Sequence, residues 1–242
     1  MVKLAFEAPV GNTEFALEQS DYIFAIAPML KIPEYASAVR RARVVVGKEF
    51  YLGNGAYEGK LIDLDEYFEL CDEWKPDVVV APDVIGDVGE TLKMTLAFIE
   101  KIPPLGERSF KVMYVIQGSN DERKLKGFRY LESYDYDIIG LGLGAFWKDW
   151  RGRILFLDKL GVVKVPIHIL GISNLADLVF WSGIATSIDT SLPFHLAQEG
   201  KGVWSLTQKG TKSLNWSDAL IGERLDLAKA NLELINEALS ND

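Results

Sequence analysis

Short apolar runs alternate with longer amphipathic segments along the whole chain. YIFAIAP (22–28) reads as a buried strand, and IPEYASAVRRAR (32–43) as the helix after it. The same order recurs as EFYLGN then LDEYFELCDEW, DVVVAP then VGETLKMTLAFIEK, and KVMYVIQG then DERKLKGFRYLESY. It continues as DIIGLGL then DWRGRILFLDKLG, VPIHILGI then NLADLVFWSG, and IATSID then SLPFHLAQEG. A short GVWSL (202–206) would be the last strand, followed by a long amphipathic helix over about 216–238. The runs are rich in Val, Ile and Leu without polar alternation, the pattern of parallel strands covered on both faces.

Eight such strand-plus-helix units in about 220 residues, with no Ser/Gly/Pro-rich linker, predict an α/β fold: a single (β/α)8 TIM barrel over 1–242. A segment at 1–20 and the C-terminal helix would pack on it. An open doubly wound sheet is the rival. It lacks support from a nucleotide fingerprint, because no GxGxxG follows the first strand and no GxxxxGK[ST] occurs. The glycine-rich run Gly140–Phe146 lacks that spacing and falls at the fifth expected strand.

Composition narrows the picture. Apolar residues make up 48% and charged residues 25%, as in an ordinary globular chain. No run of 18 apolar residues spans a bilayer, and the N-terminus carries no signal-peptide pattern, so the expected compartment is the cytoplasm. The single cysteine, Cys71, rules out an internal disulfide and a Cys-based zinc site; a buried structural thiol is the plain reading. A net charge of −9 argues against a general nucleic-acid binder, although basic clusters occur at 40–48, 123–129 and 148–153. Each cluster reads as a solvated helix face, whose field could also guide a polyanion.

Catalytic groups of α/β barrels stand at the C-terminal strand ends. Those ends carry Asn54, Tyr57 and Glu58; Asp83 and Asp87; Gln117; Gly140 and Leu141; Leu170, Gly171 and Asn174; and Asp189. Asp87, just before VGETLKM, suits a helix N-cap, whereas Asp83 lies too early for that. With two histidines in the chain, His168 inside a strand and His195 beyond Pro193, a histidine-rich metal site is not expected, and no serine sits in a nucleophile elbow. No metal and no cofactor is expected. Carboxylate, amide and backbone N–H groups together suit a flat heterocycle with both donors and acceptors, such as guanine. A second carboxylate could attack a sugar carbon with oxocarbenium character.

The order of these motifs resembles the tRNA-guanine transglycosylase superfamily, from about Tyr51 to Gly200. APD (81–83) resembles the segment whose aspartate holds the N–H edge of the base, and VIQG (115–118) the segment whose glutamine contacts it. IIGLGLG (138–144) resembles the glycine–leucine turn facing the base oxygen, and HILGIS (168–173) a pocket-lining strand. IDTSLP (188–193) resembles the Asp-Cys-Val-Leu-Pro segment, which implies that Asp189 is the nucleophile on C1′.

The departures are informative. The family's Ser-Gly-Gly-Phe-Gln loop appears as Asn54-Gly55-Ala56-Tyr57-Glu58, and the preceding general acid/base aspartate is replaced by Gly53. The cysteine-rich zinc element cannot form. The resemblance therefore implies a reduced, zinc-less member nearer the DNA 7-deazaguanine branch. Its implied partners are nucleic acid (DNA favoured over tRNA) and a free 7-deazaguanine base, with no membrane; a homodimer or partner protein is a further expectation. Asp189 and Asp83 would be catalytic. Asn54, Tyr57, Glu58, Gln117, Gly140, Leu141, Leu170 and Gly171 would bind substrate, with Tyr57, Phe146 or Trp147 stacking on a base removed from the helical stack. An N-glycosidase or nucleoside-level transferase, a non-catalytic base-binding subunit and a sugar-phosphate barrel enzyme remain alternatives.

Overall fold

The computed structural model describes residues 2–59, 61–104, 106–134, 136–142, 150–161, 163–203, 205, 208, 210 and 214–240. The strands are β1 (Lys3–Phe6), β2 (Ile23–Ile26), β3 (Phe50–Gly53), β4 (Val78–Val80), β5 (Lys111–Ile116), β6 (Ile138–Gly142), β7 (Ile167–Leu170) and β8 (Ser187–Thr190). They form one sheet in the order β1-β8-β7-β6-β5-β4-β3-β2, with parallel pairing of β1 to β8 and from β3 through β6. Helices alternate with them, which makes the fold a (β/α)8 TIM barrel. No described helix is long and apolar enough to cross a membrane.

The helices are α1 (Thr13–Gln19), α2 (Pro33–Arg41), α3 (Leu64–Trp74), α4 (Val88–Ile99), α5 (Asp121–Leu131), α6 (Trp150–Leu160), α7 (Leu175–Ser182), α8 (Leu192–Gln198) and α9 (Glu223–Ser240). Capping chemistry explains several starts. Asp63, Asp87, Asn120 and Asn174 each accept a backbone N–H of the first turn that they precede. Asp87 is thus the N-cap that its position predicts.

The strand count of eight is right, but its phase is off by one. KLAF forms β1 within the N-terminal segment, and the described residues of GVWSL carry no strand. One lysine and three apolar residues ahead of a Pro-Gly-Asn stretch give little periodic signal, and their strand character comes from pairing with β8. Asp83 therefore follows the fourth strand, and Asp189 lies in the eighth. The long C-terminal helix begins at Glu223 rather than near 216, just past Gly222 at φ +52°.

The chain divides into two compact units. One comprises Met1–Phe24, Ile32–Lys48 and Ile169–Asp242. Here Asn12 clasps Leu220 by both backbone groups, and buried Asn231 accepts from Val203 N (2.8 Å) and donates to Pro193 O (3.0 Å). These bonds secure the chain's last segment without requiring a strand from it. The other unit comprises Ala25–Lys31 and Glu49–His168. Its strands Val78–Val80 and Val112–Ile116 are buried throughout, and His168 is fully buried with its ring 5.9 Å from that of Tyr51. His168 is a core residue.

One device recurs in both units. Asp21, Asp77 and Asp137, each near the start of an even-numbered strand, accept the N–H of Leu4, Phe50 and Val112 at 2.7–2.8 Å. Each returns its own N–H to the same residue's carbonyl. The carboxylate thereby satisfies a strand-entry donor that sheet pairing leaves open. Asp77→Ala is expected to lower the unfolding free energy by about 1–3 kcal/mol in urea denaturation, the cost of orphaning that donor.

Candidate active site

Three consecutive strands of the second unit deliver a closed set of polar groups. Asn54 follows β3, Asp83 follows β4 and Gln117 follows β5. Asn54 Nδ2 donates to Asp83 Oδ1 (2.7 Å) and to Ala81 O (2.9 Å), while its Oδ1 accepts from Ala56 N (2.8 Å). Gln117 Nε2 donates to Asp83 Oδ2 (2.7 Å), and its Oε1 accepts from Gly86 N (3.0 Å). Backbone N–H groups thus fix the orientation of both amides, and each points a donor at the carboxylate. Asp83 is the buried acceptor of two oriented amides, which answers why an aspartate precedes the capping position.

The loop carrying Asp83 is braced from below. Thr91 Oγ1 donates to Val84 O and accepts from Val84 N, and Thr95 Oγ1 donates to Pro82 O. Tyr67 Oη stands 2.9 and 2.8 Å from the carbonyls of Leu52 and Val80, the strands that carry Asn54 and Asp83. Gly86 takes φ +76°, a left-handed conformation that aims its N–H at Gln117.

Burial raises the Asp83 carboxyl above its ordinary value, and the Asn54 and Gln117 hydrogen bonds oppose that rise. Among the described residues its side-chain donors are the neutral amides of Asn54 and Gln117, so the group can change protonation state without breaking an ion pair to them. A folded-state value above the unfolded one means tighter proton binding when folded, so stability falls as pH rises through that interval. Asn54→Ala removes a bond that favours the charged form and is expected to shift the Asp83 titration further upward. NMR titration of the carboxyl, or the acid limb of ligand binding, measures the shift.

The end of β6 adjoins this set. Gly140 and Leu141 pair with Val115 and Ile116, directly before Gln117, and a Cβ at Gly142 would stand 3.7 Å from Gln117 Nε2. Asn54, Asp83, Gln117, Gly140 and Leu141 are therefore brought together. Tyr57 stands 77% exposed in the turn after Asn54, and Glu58 is half-buried. Neither donates to or accepts from Asp83 in the hydrogen bonds described. Phe146 and Trp147 lie outside the described residues. Gly53, buried as the last residue of β3, offers no side chain for proton transfer.

The first unit holds Leu170, Gly171 and Asp189. Asp189 is buried, and its Oδ2 accepts from Gly171 N (3.0 Å), with Gly171 at φ +67°. The main chain seals the same turn, since Ile172 N donates to Asp189 O (3.2 Å). Thr190, fully buried, donates through Oγ1 to Ile172 O and accepts from Leu192 N (3.0 Å), which sets the entry to α8. His195 lies on α8 with Nε2 3.4 Å from Glu199 Oε1, a helix residue rather than part of the Asp189 turn.

One buried group escaped the charge pattern. Lys124, within a basic run that reads as a solvated face, is only 4% exposed on α5. Burial lowers its amine to about 8, and its Nζ lies 6.0 Å from the Phe156 ring centroid. Its position, with the side chain against Gly118 after Gln117, follows from the tight turn into α5 at φ +152°. Among the described residues, no group of three or more His, Cys, Asp or Glu side chains is arranged to hold a metal ion.

Fold and strand-end chemistry define a (β/α)8 barrel with a buried, amide-bound carboxylate. No protein-family model and no curated protein matches the sequence. Among solved structures, the chain is similar to the tryptophan synthase alpha subunit of Legionella pneumophila str. Paris. The TM-score is 0.56 at 12% identity, covering 100% of this chain and 94% of that one, a likeness of fold.

Proposed function

We propose that the chain is a base-exchange glycosyltransferase of the tRNA-guanine transglycosylase-like kind, replacing guanine by a 7-deazaguanine at an N-glycosidic bond. The observation that supports this best is the Asn54–Asp83–Gln117 set, a buried carboxylate flanked by amides whose orientation is imposed by the backbone. Its spare lone pairs suit the adjacent N–H donors of a guanine edge, and the Gly140–Leu141 backbone suits the base oxygen. Asp189 would attack C1′ as the C1′–N9 bond breaks, the bonding pair leaving with the base. The ester so formed would be resolved by the ring nitrogen of the incoming base, which loses its proton to water as the carboxylate is restored, balancing the proton that the departing guanine takes from water. The nucleotide must leave the stack to be reached, and DNA is favoured over tRNA.

Incubating the full chain with labelled guanine and duplex DNA, tRNA or free nucleoside tests the reading. Label entering a polymer is the expected result; label in none of the three substrates would remove it. A nucleoside-level transferase is the second reading, supported by the net charge of −9, which repels phosphodiester chains. Label confined to free nucleosides would select it.

A further inference from the structure

The basic clusters of the chain differ in what their charges meet. In the run at 40–48, Arg41 faces Glu14 at 2.8 Å, and Lys48 Nζ donates to the carbonyls of Leu17 and Ser20. In the run at 123–129, Lys124 turns inward, while Arg123, Lys126 and Arg129 are exposed on α5. Arg123 donates to Ser119 Oγ (3.2 Å), and among the described residues none of these exposed cations closes an ion pair. Lys93, Lys101 and Lys159 of the same unit each meet a carboxylate. Lys111 and Lys164 meet none either, but each stands singly at a strand entry, the end of the sheet away from Gln117.

Helical spacing gathers these charges on one side. Arg123, Lys126 and Tyr130 follow at i, i+3 and i+7 with Arg129 beside them, and the buried Lys124, Gly127, Phe128 and Leu131 take the opposite side. Tyr130 is 49% exposed, and its ring lies 6.0 Å from that of Tyr134. Most acids of this segment stand apart. Asp121 and Glu132, about three turns from each other, share the flank toward α6, where Lys159 reaches Asp121 (3.4 Å). Glu122 is the acid on the basic side.

This face begins at the candidate site. Directly after Gln117, Gly118 turns the chain at φ +152°, and Asn120 caps α5 by accepting the N–H of Arg123 (2.9 Å). A Cβ at Gly118 would stand 2.9 Å from Lys124 N, so the turn is packed against the first turn of the helix. The cations therefore keep a fixed place relative to the amide that holds Asp83. From Arg123 to Arg129 the helix rises about 9 Å, over which one nucleic-acid strand places roughly three phosphates. Cations alone would suit any polyanion or an anionic lipid surface. Their alignment with an exposed aromatic ring, on which a base can stack, selects a nucleic-acid strand. On a chain of net charge −9, cations gathered on one helix also mark where such a strand can approach.

We propose that the Arg123–Lys126–Arg129 face of α5, with Tyr130, carries the phosphate backbone of the strand next to the nucleotide whose base enters the site. The choice of occupant rests on the base-exchange reading above. Fluorescence anisotropy of a labelled single-stranded DNA of about 20 nucleotides, titrated with the full chain between about 50 and 200 mM salt, tests it. Circular dichroism and calorimetric titration with 7-deazaguanine control for the fold and the base site. The combined variant Arg123→Ala, Lys126→Ala, Arg129→Ala is expected to weaken DNA binding more than about tenfold at the lower salt. It should also flatten the slope of log Kd against log salt by about two and leave free-base affinity unchanged. Lys126→Ala alone is expected to flatten the slope by about 0.7 and disturbs the fold least. Tyr130→Ala is expected to weaken binding about tenfold with the slope unchanged, since a stacked ring releases no counterion. A wild type that binds no DNA overturns the inference, and so do folded variants that keep its affinity and slope. Loss of phosphatidylserine-vesicle binding in the combined variant, with DNA binding intact, overturns it too and assigns the face to a lipid surface. The two readings fail separately. DNA binding through α5 without free-base binding would remove the base site and keep this face, whereas free-base binding with DNA affinity indifferent to α5 would do the reverse.

Discussion

Asp189→Asn is expected to reduce the proposed base exchange by at least about 10⁴-fold while the fold and free-base binding survive, because losing the proposed covalent nucleophile removes that reaction path itself. Asparagine keeps the side-chain shape, and its Oδ1 can still accept the Gly171 N–H that Asp189 Oδ2 now receives. The carboxylate proposed as nucleophile is replaced by an amide that cannot take that part. A labelled-guanine incorporation assay, run beside calorimetric titration with 7-deazaguanine, separates the two effects. Exchange at the wild-type rate would show that another group forms the bond to C1′.

Asp83→Ala is the second large effect, and its signature is a split between binding and stability. Free-base affinity is expected to fall by about 100-fold or more, since the site proposed to pair a donor edge loses its acceptor. Stability is expected to change by no more than about 1 kcal/mol. Asn54 Nδ2 keeps the Ala81 carbonyl, half-buried Gln117 can turn its Nε2 to water, and an unfavourably buried carboxyl disappears. A purely structural Asp83 would behave the other way, with a loss of several kcal/mol and no dependence of base binding on the residue. Thermal unfolding and calorimetry on the same preparation distinguish the two. The raised carboxyl also sets the pH response. Donor-edge binding needs the charged form, so affinity should decline on acidification at a higher pH than an ordinary aspartate would give.

How much of this was legible in the sequence depends on the kind of signal. Buried parallel strands announce themselves by unbroken Val/Ile/Leu runs, so β2 through β8 were readable from YIFAIAP to IATSID. KLAF was not, because its strand character is conferred by its partner β8, while GVWSL has strand-like residues of which the described ones carry no strand. The strand-end residues were legible as a set because barrel chemistry restricts where they lie. Their mutual bonds were not, since the contacts of Asn54 and Gln117 with Asp83 span 29 and 34 residues. Lys124 was misread as a surface charge because composition cannot tell which lysine of a basic run faces the core. The exposed valines of the π-helical turn after α2, Val44–Val46, fall between the elements that the pattern predicts, past the helix read over 32–43 and before EFYLGN, where periodicity says nothing about which way they face.

The most direct measurement is mass spectrometry of the chain after denaturing quench with a guanine-containing oligonucleotide. The expected result is a nucleic-acid adduct on the peptide that carries Asp189, absent from Asp189→Asn and lost on adding excess free base. Base exchange with an adduct on a different residue, or turnover with no adduct at any time point, would contradict it.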